Sequence, residues 1–155
     1  MIGAFRGTLF KTLVWGAHSI ERFADYLNAG LPRFNLRFWN PGSEGIHSFV
    51  MDCSWENNFV CPPVPLIPCV LLHVHNCKAS ETHIVPLWHS APFWPMISAD
   101  GINFSDFIID WMDIPSSKED FTPGRCSGIF ANEDVNFRML TLRIWFWWLS
   151  IYFFC

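Results

Sequence analysis

Several side chains in this sequence could do chemistry by type and spacing. His73-x-His75-x-Cys77 offers two imidazoles and a thiol within five residues. On a helix, residues two apart point about 200° away from each other, so this run does not gather easily around one ion, and no metal is expected. Cys53, Cys61, Cys69 and Cys77 recur every eight residues. Zinc sites bring paired ligands two to four residues apart, so these thiols read as reduced cysteines. Asp106, Asp110 and Asp113 have the spacing of one helical face. Carboxylates so placed could serve a two-metal reaction, but Phe107-Ile108-Ile109 between them favours a strand, which makes them edge and turn residues. Ser54, Ser90 and Ser105 have no nucleophile elbow around them. Arg22, Arg33 and Arg37 form a short basic strip that could track phosphates. The net charge of -4 argues against non-specific nucleic-acid binding by the whole surface, and solvated loop and helix positions are the ordinary reading of the strip. The aromatic set Trp39, Trp88, Phe93 and Trp94 reads as core and loop anchors, with a base-stacking platform as the sharper alternative.

The elements that must position these groups centre on Cys61-Pro62-Pro63-Val64. A short strand over residues 58–61 stops at the double proline. From Pro65 to Cys77, apolar residues at Leu66, Ile67, Val70, Leu71 and Val74 make one helical face, with Pro65 suited to a first turn. The β-branched run 82–87 predicts a buried strand that ends at Pro86. This strand–helix–strand order indicates an α/β domain. Around it, residues 4–15 form a short helix or strand. Ile20, Phe23, Ala24 and Leu27 have helical spacing, although the residues before them could close a strand. Residues 32–45 read as loop anchored by Phe34, Phe38 and Trp39, and 46–51 as a short strand. Residues 91–97 predict a short helix or turn, 103–113 a strand, 116–128 a loop and 137–146 the last strand.

Composition bounds the rest. The 155 residues suit one domain, and an apolar fraction of 51% argues against disorder. Charged residues are only 15%, sparse for a free surface, which points to a partner-facing patch or to a piece of a larger chain. Six cysteines without any other secretory sign favour an intracellular location, cytoplasm or nucleus. Residues 1–14 read as an N-terminal extension and 147–155 as an apolar tail. After Arg143 only twelve residues remain, too few to span a bilayer as a helix, so no membrane is expected. The tail is instead an aggregation hazard.

The chain also resembles a known family along residues 15–146. Trp15-Gly16-x-His18-x-Ile20-Glu21-Arg22-Phe23-Ala24 with Asn28, then Pro32-Arg33-Phe34-Asn35-x-Arg37-Phe38-Trp39-x-Pro41-Gly42, looks like a stretch of animal retroelement polyproteins. Glu56-Asn57-Asn58, Pro62-Pro63, Leu66-Ile67-Pro68 and Ile84-Val85-Pro86-x-Trp88 continue it. So do Ser90-Ala91-Pro92-Phe93-Trp94-Pro95, Pro123-Gly124-Arg125-x-Ser127-Gly128 and Leu140-x-Leu142-Arg143-Ile144. The match is to DIRS-like retrotransposons, in the region after reverse transcriptase and RNase H. More distantly it is similar to a phage-type adenine-N6 DNA methyltransferase whose motifs have decayed: Glu21 with Asn28, Asp52, Cys61-Pro62-Pro63-Val64, Pro86 with Phe93-Trp94, and Gly124-Arg125 with Phe130.

That resemblance implies a small Rossmann-like, methyltransferase-like α/β domain: a mixed sheet flanked by helices, complete or truncated. It implies that Glu21 and Asp52 are remnants of a cofactor site for S-adenosylmethionine. An adenine-N6 methyltransferase flips its base, accepts the N6 hydrogen on a side-chain carbonyl and stacks an aromatic ring on the base. Cys61 has no carbonyl and Val64 no π face, a loss on the order of a thousand-fold in rate. The family usually has Asp at positions 21, 47 and 145, Trp at 53 and Arg at 69; here stand Glu21, His47, Trp145, Cys53 and Cys69. No adjacent Asp pair for a polymerase and no Arg-His-Arg-Tyr set for a recombinase is present. The expectation is a retroelement polyprotein fragment without catalysis or cofactor, a structural or nucleic-acid-positioning module whose partners are nucleic acid or other polyprotein domains. The alternatives are a residual nucleic-acid-binding domain using Arg22, Arg33 and Arg37, and a weak adenine methyltransferase.

Overall fold

The computed structural model describes residues 15–24, 26, 29–36, 38–39, 41–114 and 138–146. Among the described residues, six strands form one sheet: β1 (Ile20–Arg22), β2 (Phe34–Asn35), β3 (Asn57–Val60), β4 (Ser80–Pro86), β5 (Ile108–Ile114) and β6 (Met139–Trp145). Their spatial order is β2-β1-β3-β4-β6-β5. The first four run parallel, and β6 runs antiparallel to both β4 and β5. The described helices are α1 (Ile67–Cys77), the short α2 (Trp94–Ile97), and 3-10 turns at Ser48–Val50 and Val64–Leu66.

The centre of the fold follows its sequence closely. β3 and β4 are adjacent and parallel, with Asn58 opposite Glu81 and Val60 opposite His83, and α1 bridges them. Proline in the first turn costs α1 no hydrogen bond. Ile67, Val70, Leu71 and Val74 lie fully buried along one face, each contributing roughly 1.5–3 kcal/mol of burial. Lys78 stops the helix in a left-handed conformation (φ 53°), and its N–H and that of Ala79 return to the carbonyls of His75 and Val74. β4 is central, so its apolar residues are covered on both faces. Val60, Val85, Leu140, Leu142 and Ile144 pack toward α1. Phe59, Ile84, Ile114 and Met139 form a second cluster. β5 is an edge strand; Asp110 and Asp113 are exposed on it and Asp106 precedes it in a turn.

Three expectations are corrected. Ile20 does not begin a helix. Residues 20–22 are a strand paired on both sides, and Phe23 turns the chain with φ 66°. Long-range pairing outweighs the local spacing there; Leu27 lies outside the described residues. Residues 46–51 are not a strand. Ile46 makes a single bridge to Leu36, then His47 turns left-handed (φ 68°) into the 3-10 turn, held where the Ser48 hydroxyl donates to Asn35 Oδ1. Phe38 and Trp39 do not anchor the loop from inside; both are exposed, and Phe34 alone of that trio is buried. The N-terminal extension, the loop 116–128 and the apolar tail lie outside the described residues. No described helix is long and apolar enough to cross a membrane.

The loop after α2 predicts an acid response. The Asp100 carboxylate accepts from the backbone N–H groups of Ile102 and Asn103 and from Asn103 Nδ2, and these bonds hold its pKa down to about 2. Glu56 is also lowered, by Arg33 first and then by the Ser19 hydroxyl. Carboxylates depressed on folding stabilise fully above their unfolded values, here 3.8 and 4.5, and lose that contribution as pH falls through the folded ones. The urea midpoint is therefore expected to fall steadily between pH 4.5 and pH 2, and Asp100→Asn to flatten part of that slope.

Candidate functional site

In an open α/β sheet, ligands gather where the strand order reverses, outside the carboxyl ends of the strands. Here the chain leaves β1 for β2 on one side and returns to β3 on the other, so the reversal lies between β1 and β3. Two segments meet that edge: Phe23-Ala24 after β1 and Cys61-Pro62-Pro63-Val64 after β3.

Both segments are turned into packing. Phe23 holds a positive φ that a side chain with a Cβ adopts only under constraint. Its ring is buried and meets Phe49 edge-on, centroids 5.3 Å apart. Cys61 packs against the Phe59–Ile84 cluster, Pro62 is buried, and Val64 packs against the core under α1. Pro63, half-buried, leads into the 3-10 turn.

Glu21 is buried on β1, and one carboxylate oxygen accepts from the backbone N–H groups of Gly30 (2.7 Å) and Leu31 (3.1 Å). The acid that the family resemblance assigns to a methyl donor thus holds the chain's own loop. Asp52 is exposed and accepts from the Ser54 N–H at 2.9 Å, which lowers its pKa. The two carboxylates do not converge on one ligand. Asn28, Gly124, Arg125 and Phe130 lie outside the described residues.

The basic strip does not assemble. Arg22 is buried and donates to Asn58 Oδ1 at 2.9 Å; burial lowers its pKa. Arg33 is exposed but clasped between Glu44 and Glu56, at 2.6 and 2.9 Å, which raises its pKa. Arg37 lies outside the described residues.

Polar groups collect instead beneath α1. Arg22, Phe49, Cys53, Asn58, His73 and Glu81 line a cavity of about 10 Å³. That is close to the minimum for one water and far too small for a nucleoside. Asn58 Nδ2 donates to the carbonyls of Cys53, Glu56 and Ser80, tying the 53–56 loop to the sheet. Glu81 and His83, two apart on β4 and so on the same face, are 0% exposed and bonded at 2.7 Å. Glu81 Oε2 and His83 Nε2 have no other partner among the described residues. The β-branched run of this strand does not announce the pair; the alternation 81-83-85 is the signal for it in the sequence.

Next to the cavity, Cys53, His73 and Cys77 bring their ligand atoms within 4.8 Å of one another. Burial, then the hydrogen bond with Cys77, push the Cys53 thiol above its ordinary range, while Arg22 acts in the opposite sense. His73 and His75 do diverge as expected, but His73 and Cys77 are four apart and share a helix face. None of the four described cysteines is joined in a disulfide among the described residues. Comparison with family models, with characterised proteins and with solved structures gives no match for this chain.

Proposed function

We propose that this chain is a non-catalytic scaffold: a retroelement polyprotein fragment built on a degenerate, Rossmann-like methyltransferase fold, serving a structural or nucleic-acid-positioning role. The observation that carries the reading is the edge between β1 and β3. A Pro-Pro corner occupies the position where such a domain acts, at the carboxyl end of the strand before α1. Its side chains are spent on packing, and Glu21 is bonded to the backbone of its own loop. A mostly parallel sheet whose last strand runs antiparallel between the two before it is also the layout expected of that class.

Nothing in the placement of Arg22 or Arg33 favours the nucleic-acid alternative over the scaffold, because one is buried and the other already paired. The test is transfer of a labelled methyl group from S-adenosylmethionine to adenine-containing DNA, single- and double-stranded. The expected result for the folded chain is incorporation equal to that without protein. Incorporation that depends on adenine would restore the enzyme reading. Salt-dependent binding of the same DNA without transfer, weakened by Arg33→Ala, would favour the nucleic-acid reading.

A further inference from the structure

We propose that Cys53, His73 and Cys77 form a binding site for one zinc-class divalent ion, with the fourth position open to water. The site is independent of the methyltransferase-like reading, since it lies beneath α1 and uses none of the Pro-Pro corner.

Ligand type comes first. Two thiols and an imidazole are the donor set that selects zinc over magnesium or calcium, and three protein ligands with one open position is an established zinc arrangement. Spacing comes second. Around a tetrahedral zinc, with bonds of about 2.3 Å to sulfur and about 2.0 Å to nitrogen, sulfur and nitrogen ligands lie roughly 3.5 Å apart. The Cys77 Sγ is 3.7 Å from His73 Nε2 and 3.9 Å from Nδ1, and all three ligand atoms lie within 4.8 Å. Closing such a set around an ion needs only small side-chain rotations.

The surroundings fit as well. The His73 Nε2 lies 3.3 Å from the Met51 carbonyl. A ligating histidine usually donates its other ring N–H to such a carbonyl, which leaves Nδ1 for the metal. The adjoining cavity has room for about one water, enough for the fourth ligand. Charge also balances: two thiolates neutralise a divalent ion, so the ion with its ligands carries no net charge in this partly buried position. The ion would fasten the loop that carries Cys53 to the helix that carries His73 and Cys77.

The experiment titrates cobalt(II) into the full 155-residue chain, reduced and freed of metal, followed by zinc(II). The expected result is one cobalt per chain with thiolate-to-cobalt charge-transfer bands and the strong visible bands of tetrahedral geometry, all abolished by zinc. Altering neighbours of a ligand already costs 10–100-fold in affinity, so Cys53→Ser and His73→Ala are each expected to weaken binding by at least about 100-fold. Cys69→Ser and His75→Ala, exposed on the same helix, leave it unchanged. Should a ligand variant fail to fold, the unaltered chain still decides: zinc raises its thermal midpoint in proportion to the logarithm of free zinc. No tetrahedral bands, bands that survive Cys53→Ser, or a Cys53–Cys77 disulfide that forms under the same reducing conditions in place of metal binding would each overturn the site.

Discussion

Replacing His83 with leucine is expected to lower the unfolding free energy by about 3–5 kcal/mol, the range for breaking a buried pair from one side. Glu81 and His83 lie on the α1 face of the central strand, without exposed surface, between the Asn58–Val60 positions of β3 and Leu142–Ile144 of β6. Removal of the imidazole leaves the Glu81 carboxylate buried beside the small cavity under α1 without its bond at 2.7 Å. Replacing both residues is a different matter. Glu81→Leu with His83→Leu removes both desolvation penalties, and the double variant is expected to equal or exceed the stability of the unaltered chain. Urea unfolding of the unaltered chain, Glu81→Leu, His83→Leu and the double variant measures this coupling directly. Additive losses, or a single-variant loss below about 0.5 kcal/mol, would mean that the pair is not buried beneath α1.

Phe59→Ala carries the second large effect, about 3–5 kcal/mol. Phe59 is 0% exposed in β3, packed against Ile84, Ile114 and Met139 on the face away from α1, with the His18 ring edge-on at 5.3 Å. Truncation removes the transfer energy of the ring and leaves a hole that strands on both sides cannot close. A domain of this size is stable by about 5–15 kcal/mol, so the variant stands near unfolding. Phe59→Leu keeps most of the volume and is expected to lose less than about 1.5 kcal/mol. The measurement is the denaturant midpoint at unchanged slope. A loss near 1 kcal/mol for the alanine variant would show that this face of the sheet is not closed.

What the sequence made legible follows from the range of the interactions involved. α1 and β4 declare themselves because their burial is regular: one helical face at Ile67, Val70, Leu71 and Val74, and a β-branched run in a strand covered on both sides. β1 and β2 are three and two residues long and exist only through pairing with strands far along the chain. Their buried polar residues, Glu21, Arg22 and Asn35, read as surface until their partners are placed. Residues 46–51 fail as a strand because His47 turns left-handed, a conformation that no pattern of apolar residues announces. The Pro-Pro corner was legible in position and in what it lacks. The Cys53–His73–Cys77 cluster was legible only in half. His73 and Cys77 stand at helical contact spacing, whereas Cys53 arrives from a loop twenty residues earlier, held there by the bond from Asn58 to its carbonyl.

On the proposed reading, the corner after β3 keeps its backbone course without the groups that methyl transfer needs. Titration of S-adenosylmethionine into the cooperatively melting, folded chain tests it most directly by calorimetry. No binding heat is expected at millimolar donor, because Glu21 is held by the backbone of residues 30–31 and the cavity beneath α1 takes little more than a water. Saturable heat with one site per chain, lost in Glu21→Ala, would contradict it.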